Sequence, residues 1–144
     1  MQTPTMTTDK AGTISYSLNG KWHREDGPAV IYADGTQAWY LNDLFHREDG
    51  PAYIGVDGRQ CWYLNDRLHR EDGPAIIDVD GSQVWCLNGK YHRTDGPAYI
   101  GADGRQCWYL NHQYHSFDNY CKKLNLTDEE IIFLKLKYNT CISA

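Results

Sequence analysis

Residues 23–45 read HREDGPAVIYADGTQAWYLNDLF, and at His46 the same pattern begins again. HREDGPA recurs at 46–52 and 69–75, and 92–98 gives HRTDGPA. His23, His46, His69 and His92 are therefore 23 residues apart, and the pairs Asp34-Gly35, Asp57-Gly58, Asp80-Gly81 and Asp103-Gly104 keep the same beat. His115 falls on it too, but there the chain reads HSFDNY and the motif decays. Upstream, GTISYSLNGKW at 12–22 matches the second half of a unit. A fixed period of this length marks a stacked array, in which each unit buries its apolar side only against its neighbours. The predicted organisation is an N-terminal tail over 1–11, an array over 12–115 (half a repeat, then four repeats of 23 residues) and a C-terminal cap over 116–144.

Within one unit the pattern is that of strands. Val30, Ile31 and Tyr32 precede Asp34-Gly35, and Trp39, Tyr40 and Leu41 follow it. β-Branched and aromatic residues suit a pleated sheet. An Asp-Gly pair between two such runs predicts a two-residue type I′ hairpin. The following NDLFHREDGP has loop chemistry at both ends, and Pro28, Pro51, Pro74 and Pro97 open each first strand, where a missing N–H does least harm. The fold class predicted is mainly β, an antiparallel meander of repeated hairpins with about nine strands and a short C-terminal α-helical cap. A two-residue turn would put Ala29, Ile31, Ala33, Ala38 and Tyr40 on one face, and Val30, Tyr32, Gln37, Trp39 and Leu41 on the other. Both faces are then partly apolar. A flat sheet would expose too much of that surface, so a curled sheet with one face closed on itself is expected.

The four copies of HR-x-DGPA bear on function. Successive histidines lie two strands apart, roughly 10 Å at the usual strand spacing. Zinc holds each ligand at about 2 Å, so neighbouring copies do not share a metal without sharp convergence. A catalytic site needs one asymmetric constellation of nucleophile, base and orienting group. Near-identical copies point instead to a structural ladder in which His, Arg and the acids satisfy loop backbone and pair between repeats. No catalytic residue, metal or cofactor is expected.

Composition narrows the classes further. The 144 residues are 41% hydrophobic and 13% aromatic, which argues against disorder. A formal net charge of −5 provides no basic field for nucleic acid or an acidic membrane. No apolar run approaches the length of a membrane span, and residues 1–12 lack the apolar core of a secretion signal. Five cysteines without a C-x-x-C pair fit a reduced, cytoplasmic setting.

The tail loses the strand pattern. Thr127 with Glu130 forms a capping-box signature, and Asp128 and Glu129 suit a helix start. Ile131, Leu134 and Tyr138 then share one helical face, widened by Ile132 and Leu136, and a shorter helix is predicted over about 117–124. Such an element covers the last strand edge.

Repeats two and four match most closely: 49–65 and 95–111 differ only at Val56 against Ala102. Duplication accounts for this. So does a pair of equivalent sites, in which Tyr53, Arg59 and Trp62, and likewise Tyr99, Arg105 and Trp108, form aromatic and cationic patches beside Gly55 and Gly101. Arg with aromatics is typical of binding hot spots and anion recognition.

These residues carry a family resemblance. A 23-residue unit with an aromatic, an Asn-Gly step and a closing Asp-Gly is similar to the MORN repeat and its YwqK-like variants. Its form WYLNGKxHRxDGPA resembles repeats in uncharacterised proteins of large phages and giant viruses. The likeness covers 12–115 and implies an elongated sheet of stacked hairpins that serves as a binding or scaffolding surface, with no shared enzymatic activity. The chain departs from the MORN pattern at HREDGPA, where a Gly-x-Gly step is usual. With no basic surplus, membrane contact is not expected. The resemblance implies a non-enzymatic binding protein, such as a phage inhibitor that blocks or sequesters a host-defence component in the host cytoplasm. A toxin-neutralising immunity protein and a structural scaffold are the alternatives. The partner would be a host protein or an anionic small molecule, with sheet edge or helical tail as routes to self-association.

Overall fold

The computed structural model describes residues 2–140. It is mainly β: a twelve-stranded antiparallel sheet, three two-stranded sheets beside it, and two helices at the C-terminal end. The large sheet is a meander whose strands follow one another in chain order. It is open, not closed on itself as the apolar content of both faces suggested.

Each unit contains two hairpins. In the first, Val30–Ile31 pairs with Gln37–Ala38 in the register Val30↔Ala38 and Ile31↔Gln37. The turn is not type I′. The Gly35 N–H donates to the Tyr32 carbonyl at 2.9 Å, Tyr32 N–H donates to Thr36 O at 2.9 Å, and of the loop residues only Gly35 has positive φ, at +94°. This is a type I turn followed by a glycine bulge, a three-residue loop. The Asp34 carboxylate fixes it by accepting from Thr36 N–H at 2.8 Å. One residue of slip moves side chains to the other face. Val30, Ala38 and Tyr40 therefore share the core with Ala29, against Tyr32 and Phe45, and the predicted faces are corrected accordingly.

The type I′ turn is present one step later. Asn42 and Asp43 have φ +54° and +68° and join Tyr40–Leu41 to Leu44–Phe45. The same turn recurs at Asn19-Gly20, Asn65-Asp66, Asn88-Gly89 and Asn111-His112. The stretch predicted as a loop is thus a second hairpin. The described residues hold eighteen short strands instead of about nine.

Trp39 separates the two hairpins. Its N–H donates to Ala52 O in the next repeat at 2.7 Å, and its carbonyl accepts from His46 N–H in its own second hairpin at 3.1 Å. Trp62, Trp85 and, in the half repeat, Tyr16 make the same two bonds. The second hairpins stack through two backbone bonds at each step: Asp43 N–H to Trp22 O, Asp66 to Phe45, Gly89 to Leu68 and His112 to Tyr91 at 2.8–3.0 Å, and Arg24 N–H to Tyr40 O, Arg47 to Tyr63, Arg70 to Cys86 and Arg93 to Tyr109 at 3.1–3.3 Å. Along the stack Trp22, Tyr40, Phe45 and Tyr63 form a column with ring centroids 4.3–5.0 Å apart, Trp22 being its exposed end.

Both ends differ from a bare array. Thr5–Thr8, in the stretch read as a tail, pairs with Ile14–Leu18 as the first strand of the sheet. Gly12 (φ +92°) donates to Asp9 O in the same turn that Gly35 makes, and Gly12 lies one full period before Gly35. At the other end, α1 (Phe117–Lys123) is capped by Ser116, and α2 (Asp128–Tyr138) starts on the full Thr127–Glu130 capping box. Tyr120, Cys121 and Leu134 bury Trp108, with Ile131 and Tyr138 alongside. Ile132 and Leu136 do not join that face; they are exposed with Phe133. No helix among the described residues is long and apolar enough to cross a membrane.

A row of candidate binding grooves

The HR-x-DGPA loops are interlocked. Each histidine ends one second hairpin and serves the next: the Nδ1 atoms of His23, His46, His69 and His92 accept from the N–H groups of Asn42, Asn65, Asn88 and Asn111, 19 residues further on, at 3.0–3.2 Å. These are the first residues of the type I′ turns, so the histidine Nδ1 fixes the next hairpin, and in two copies it also lies 3.0–3.1 Å from the Oδ1 of Asn42 or Asn65. Each arginine serves its own loop. Arg47 Nε donates to Asp49 Oδ1 at 2.8 Å and Nη1 to Pro51 O at 3.2 Å, while its Cζ lies 4.1 Å from the Trp39 ring centroid. Arg24 on Tyr16, Arg70 on Trp62 and Arg93 on Trp85 repeat the stack at 3.8–4.0 Å. The loop glycine allows the close approach: a β-carbon at Gly50 would meet Arg47 Cζ at 2.9 Å. The guanidinium hydrogen bonds hold the Asp26, Asp49 and Asp72 carboxyls below the usual carboxylate range. The loop-backbone part of the ladder read from the sequence is found, but the acids pair within their own loop and not between repeats.

Between consecutive loops lies a groove, and the same groove occurs three times. Trp39 with Leu41, Trp62 with Leu64 and Trp85 with Leu87 line the floors, and the volumes are about 670, 730 and 580 Å³. These fall within the usual range for ligand sites. The rims carry Glu25, Glu48 and Glu71, whose side chains are 85% exposed and face only a histidine Nε2 at 3.6–3.7 Å. Each groove also has two arginines and a histidine on its walls, but every arginine is held by the aspartate of its own loop. The exposed rim glutamates and the aromatic floor therefore suit a partner with apolar and cationic groups.

The six residues singled out in the sequence do not assemble into two equal patches. Tyr53 stands opposite Cys61, so strand alternation puts Tyr53 on the side of Arg59 and Cys61, and Trp62 on the other. Arg59 reaches Asp78 of the next repeat at 3.4 Å. Arg105 has no further repeat to reach and contacts its own neighbour Asp103 at 3.4 Å. Trp62 lies under Arg70 in a groove, whereas Trp108 is buried by the helices. Tyr99 pairs with Cys107 as Tyr53 does with Cys61. Gly55 and Gly101 are not mid-strand; each opens its Asp-Gly turn, with the Asp57 or Asp103 carboxylate, and beyond it Tyr53 or Tyr99, over the space of the missing side chain. The groove residues were visible in the sequence as repeated Trp, Leu and Glu, but only the hinge at each tryptophan brings them together.

The chain matches no protein-family model and no curated protein sequence. The four cysteines described are free, and burial pushes the Cys86 thiol up to about 11.

Two outcomes follow from the loop geometry. Replacing His46 with Ala leaves the Asn65 N–H without its acceptor at a partly solvated site, so it should cost about 1 kcal/mol, with His69→Ala equal within error. Urea melts of both variants check this, and a loss of several kcal/mol in either would contradict it. The depressed Asp carboxyls stabilise the fold above their unfolded value, near pH 4, and that contribution disappears as pH falls through their lower folded values. Tryptophan emission should therefore change as pH falls below about 4, with Asp49→Asn showing part of that change at neutral pH. An unchanged spectrum in the Asn variant would show that the pair does not hold Arg47 on Trp39.

Proposed function

We propose that the protein is a non-enzymatic binding protein that engages another protein along its row of three grooves. The observation that carries this is repetition: the same floor and interlock occur three times, with a rim that differs only by Thr94 in place of a second glutamate in the third groove. Sites repeated once per period suit an extended or helical partner that contacts several at once, gaining affinity from multivalency. The carboxylate rims favour a partner with basic side chains over the anionic small molecule considered from Arg59 and Arg105. The resemblance to repeats of large phages extends the reading to an inhibitor that covers or sequesters a cytoplasmic host-defence protein.

Position-dependent crosslinking tests the reading. A photo-reactive phenylalanine at Glu48, on the groove rim, should give a discrete protein adduct in expressing cells. The same group at Val56, exposed at an Asp-Gly turn, should give none. An adduct from Val56 and none from Glu48 would overturn the groove assignment.

A further inference from the structure

The array has a fourth position with the same parts, and there the groove is filled. Its wall is the loop Arg93–Pro97 and its floor is Trp108 with Leu110, one period after Trp85 and Leu87. α1 and α2 occupy it. The Tyr120 ring lies 4.7 Å from the Trp108 ring. Its hydroxyl donates to Arg93 O at 2.8 Å and accepts from Gly96 N–H at 3.2 Å, and so bridges the two ends of the turn 93–96. Burial pushes the Tyr120 hydroxyl up, so it remains protonated and able to donate. Tyr138 adds a second hydroxyl, which accepts from Arg93 Nη2 at 2.9 Å.

In the three open grooves the same turn is unbridged. Among the described residues, no hydrogen bond reaches the N–H of Gly27, Gly50 or Gly73, or the carbonyl of Arg24, Arg47 or Arg70. Gly96 and Pro97 are buried, whereas their counterparts at 27–28, 50–51 and 73–74 are half-buried. The loop itself is otherwise the same, with Arg–Asp and Arg–Pro bonds at 2.7–2.8 and 3.1–3.4 Å in all four copies.

From this we propose that the open grooves bind a helical segment of a partner protein through tyrosines, each hydroxyl bridging an Arg carbonyl and a Gly N–H as Tyr120 does. The inference rests on the groove reading above and names the chemistry of the occupant. Grooves two strands apart are roughly 10 Å apart, and seven residues of helix advance about 10.5 Å. Tyrosines seven residues apart on one helix face therefore fall into successive grooves. Lysines or arginines beside them meet the rim glutamates Glu25, Glu48 and Glu71. The fourth loop, against which the chain's own helices pack and which also forms the far wall of the third groove, carries Thr94 in place of that glutamate.

The probe is a synthetic amphipathic helix with three tyrosines seven residues apart and flanking lysines, compared with its twin bearing phenylalanines. Both are titrated into the full-length, ¹⁵N-labelled protein. The tyrosine peptide should shift the amide resonances of Gly27, Gly50 and Gly73 and leave Gly96 in place, and the phenylalanine twin should bind at least tenfold more weakly, since one net hydrogen bond is worth about fivefold. Equal binding of the two peptides at these amides would overturn the hydroxyl bridge while leaving the grooves as a binding surface. No binding by either would overturn the proposal, with the crosslinking contrast between Glu48 and Val56 still deciding the groove reading separately. Shifts at the three glycines that grow with protein concentration alone would place a second copy of the chain in the grooves and overturn it as well. Within the chain, Tyr120→Phe should move the Gly96 amide and lower the melting temperature; an unmoved Gly96 would remove the template on which the proposal is built.

Discussion

The change of hydrogen-bond partner at Trp39, Trp62 and Trp85 is the constraint on which the rest of the structure depends. At each, the N–H is bound to the next repeat and the carbonyl to the repeat's own second hairpin. A strand that continued straight would give a single flat meander with too much apolar surface on both sides. Splitting it at the tryptophan yields two ladders instead. The first hairpins form the large sheet, and the second hairpins form a stacked column with the aromatic series from Trp22 to Tyr63 along it. The indole itself stays between successive loops, covered on one side by an arginine and open to the groove.

Interlock between neighbours explains why so many polar residues recur. No repeat has a large core: Ala29, Ala52, Ala75 and Ala98 are fully buried, and few large side chains are. Stability is then a sum of small nearest-neighbour contributions, as expected for a one-dimensional array. The histidine-to-Asn N–H bond and the backbone bonds join successive second hairpins, and the Arg–Trp stack ties each loop to the unit before it. Their repetition also keeps the grooves in register, since each rim and each floor is set by the same bonds. The terminal helices follow the same logic, with Trp108 and its wall covered by Phe117, Tyr120 and Tyr138 where a further HR loop would have stood.

The period, the meander and the capping box could all be read from residues, because each depends on local chemistry. The Asp-Gly pairs did mark hairpins, but Asp34-Gly35 is compatible with a type I′ turn and with a type I turn plus bulge, and only pairing across the sheet chooses between them. Asn42-Asp43 was hidden because only Leu44 and Phe45 follow it before the polar run HREDGP, too short an apolar stretch to mark a strand, although Asn tolerates the left-handed conformation at little cost. Gly12 stood on the repeat's beat, so the first hairpin was available in the sequence once the beat was extended upstream. Ile132 and Leu136 fit the apolar face by spacing, yet the site they would pack against is already filled by Leu134 and Tyr138. Arg59 and Trp62 looked like neighbours in sequence, but strand alternation separates them. The groove, which needs loops from two repeats and a hinge between them, has no local signature.

Removing one period tests the account most directly. Deleting residues 47–69 joins His46 to Arg70 and takes out one whole period, so each interlock is re-formed one unit shorter and Arg70 lies over Trp39 in place of Arg47. Deleting 48–69 falls a single position short of the period and puts the strands that follow out of register, which sends side chains to the wrong face. The first variant should unfold cooperatively in a urea melt, at a lower midpoint than the intact chain, with amide and indole spectra that retain the remaining repeats. The second should show no cooperative transition. Loss of folding in the whole-period deletion, or equal behaviour of the two, would contradict an array held together by nearest-neighbour bonds on the register of the repeat.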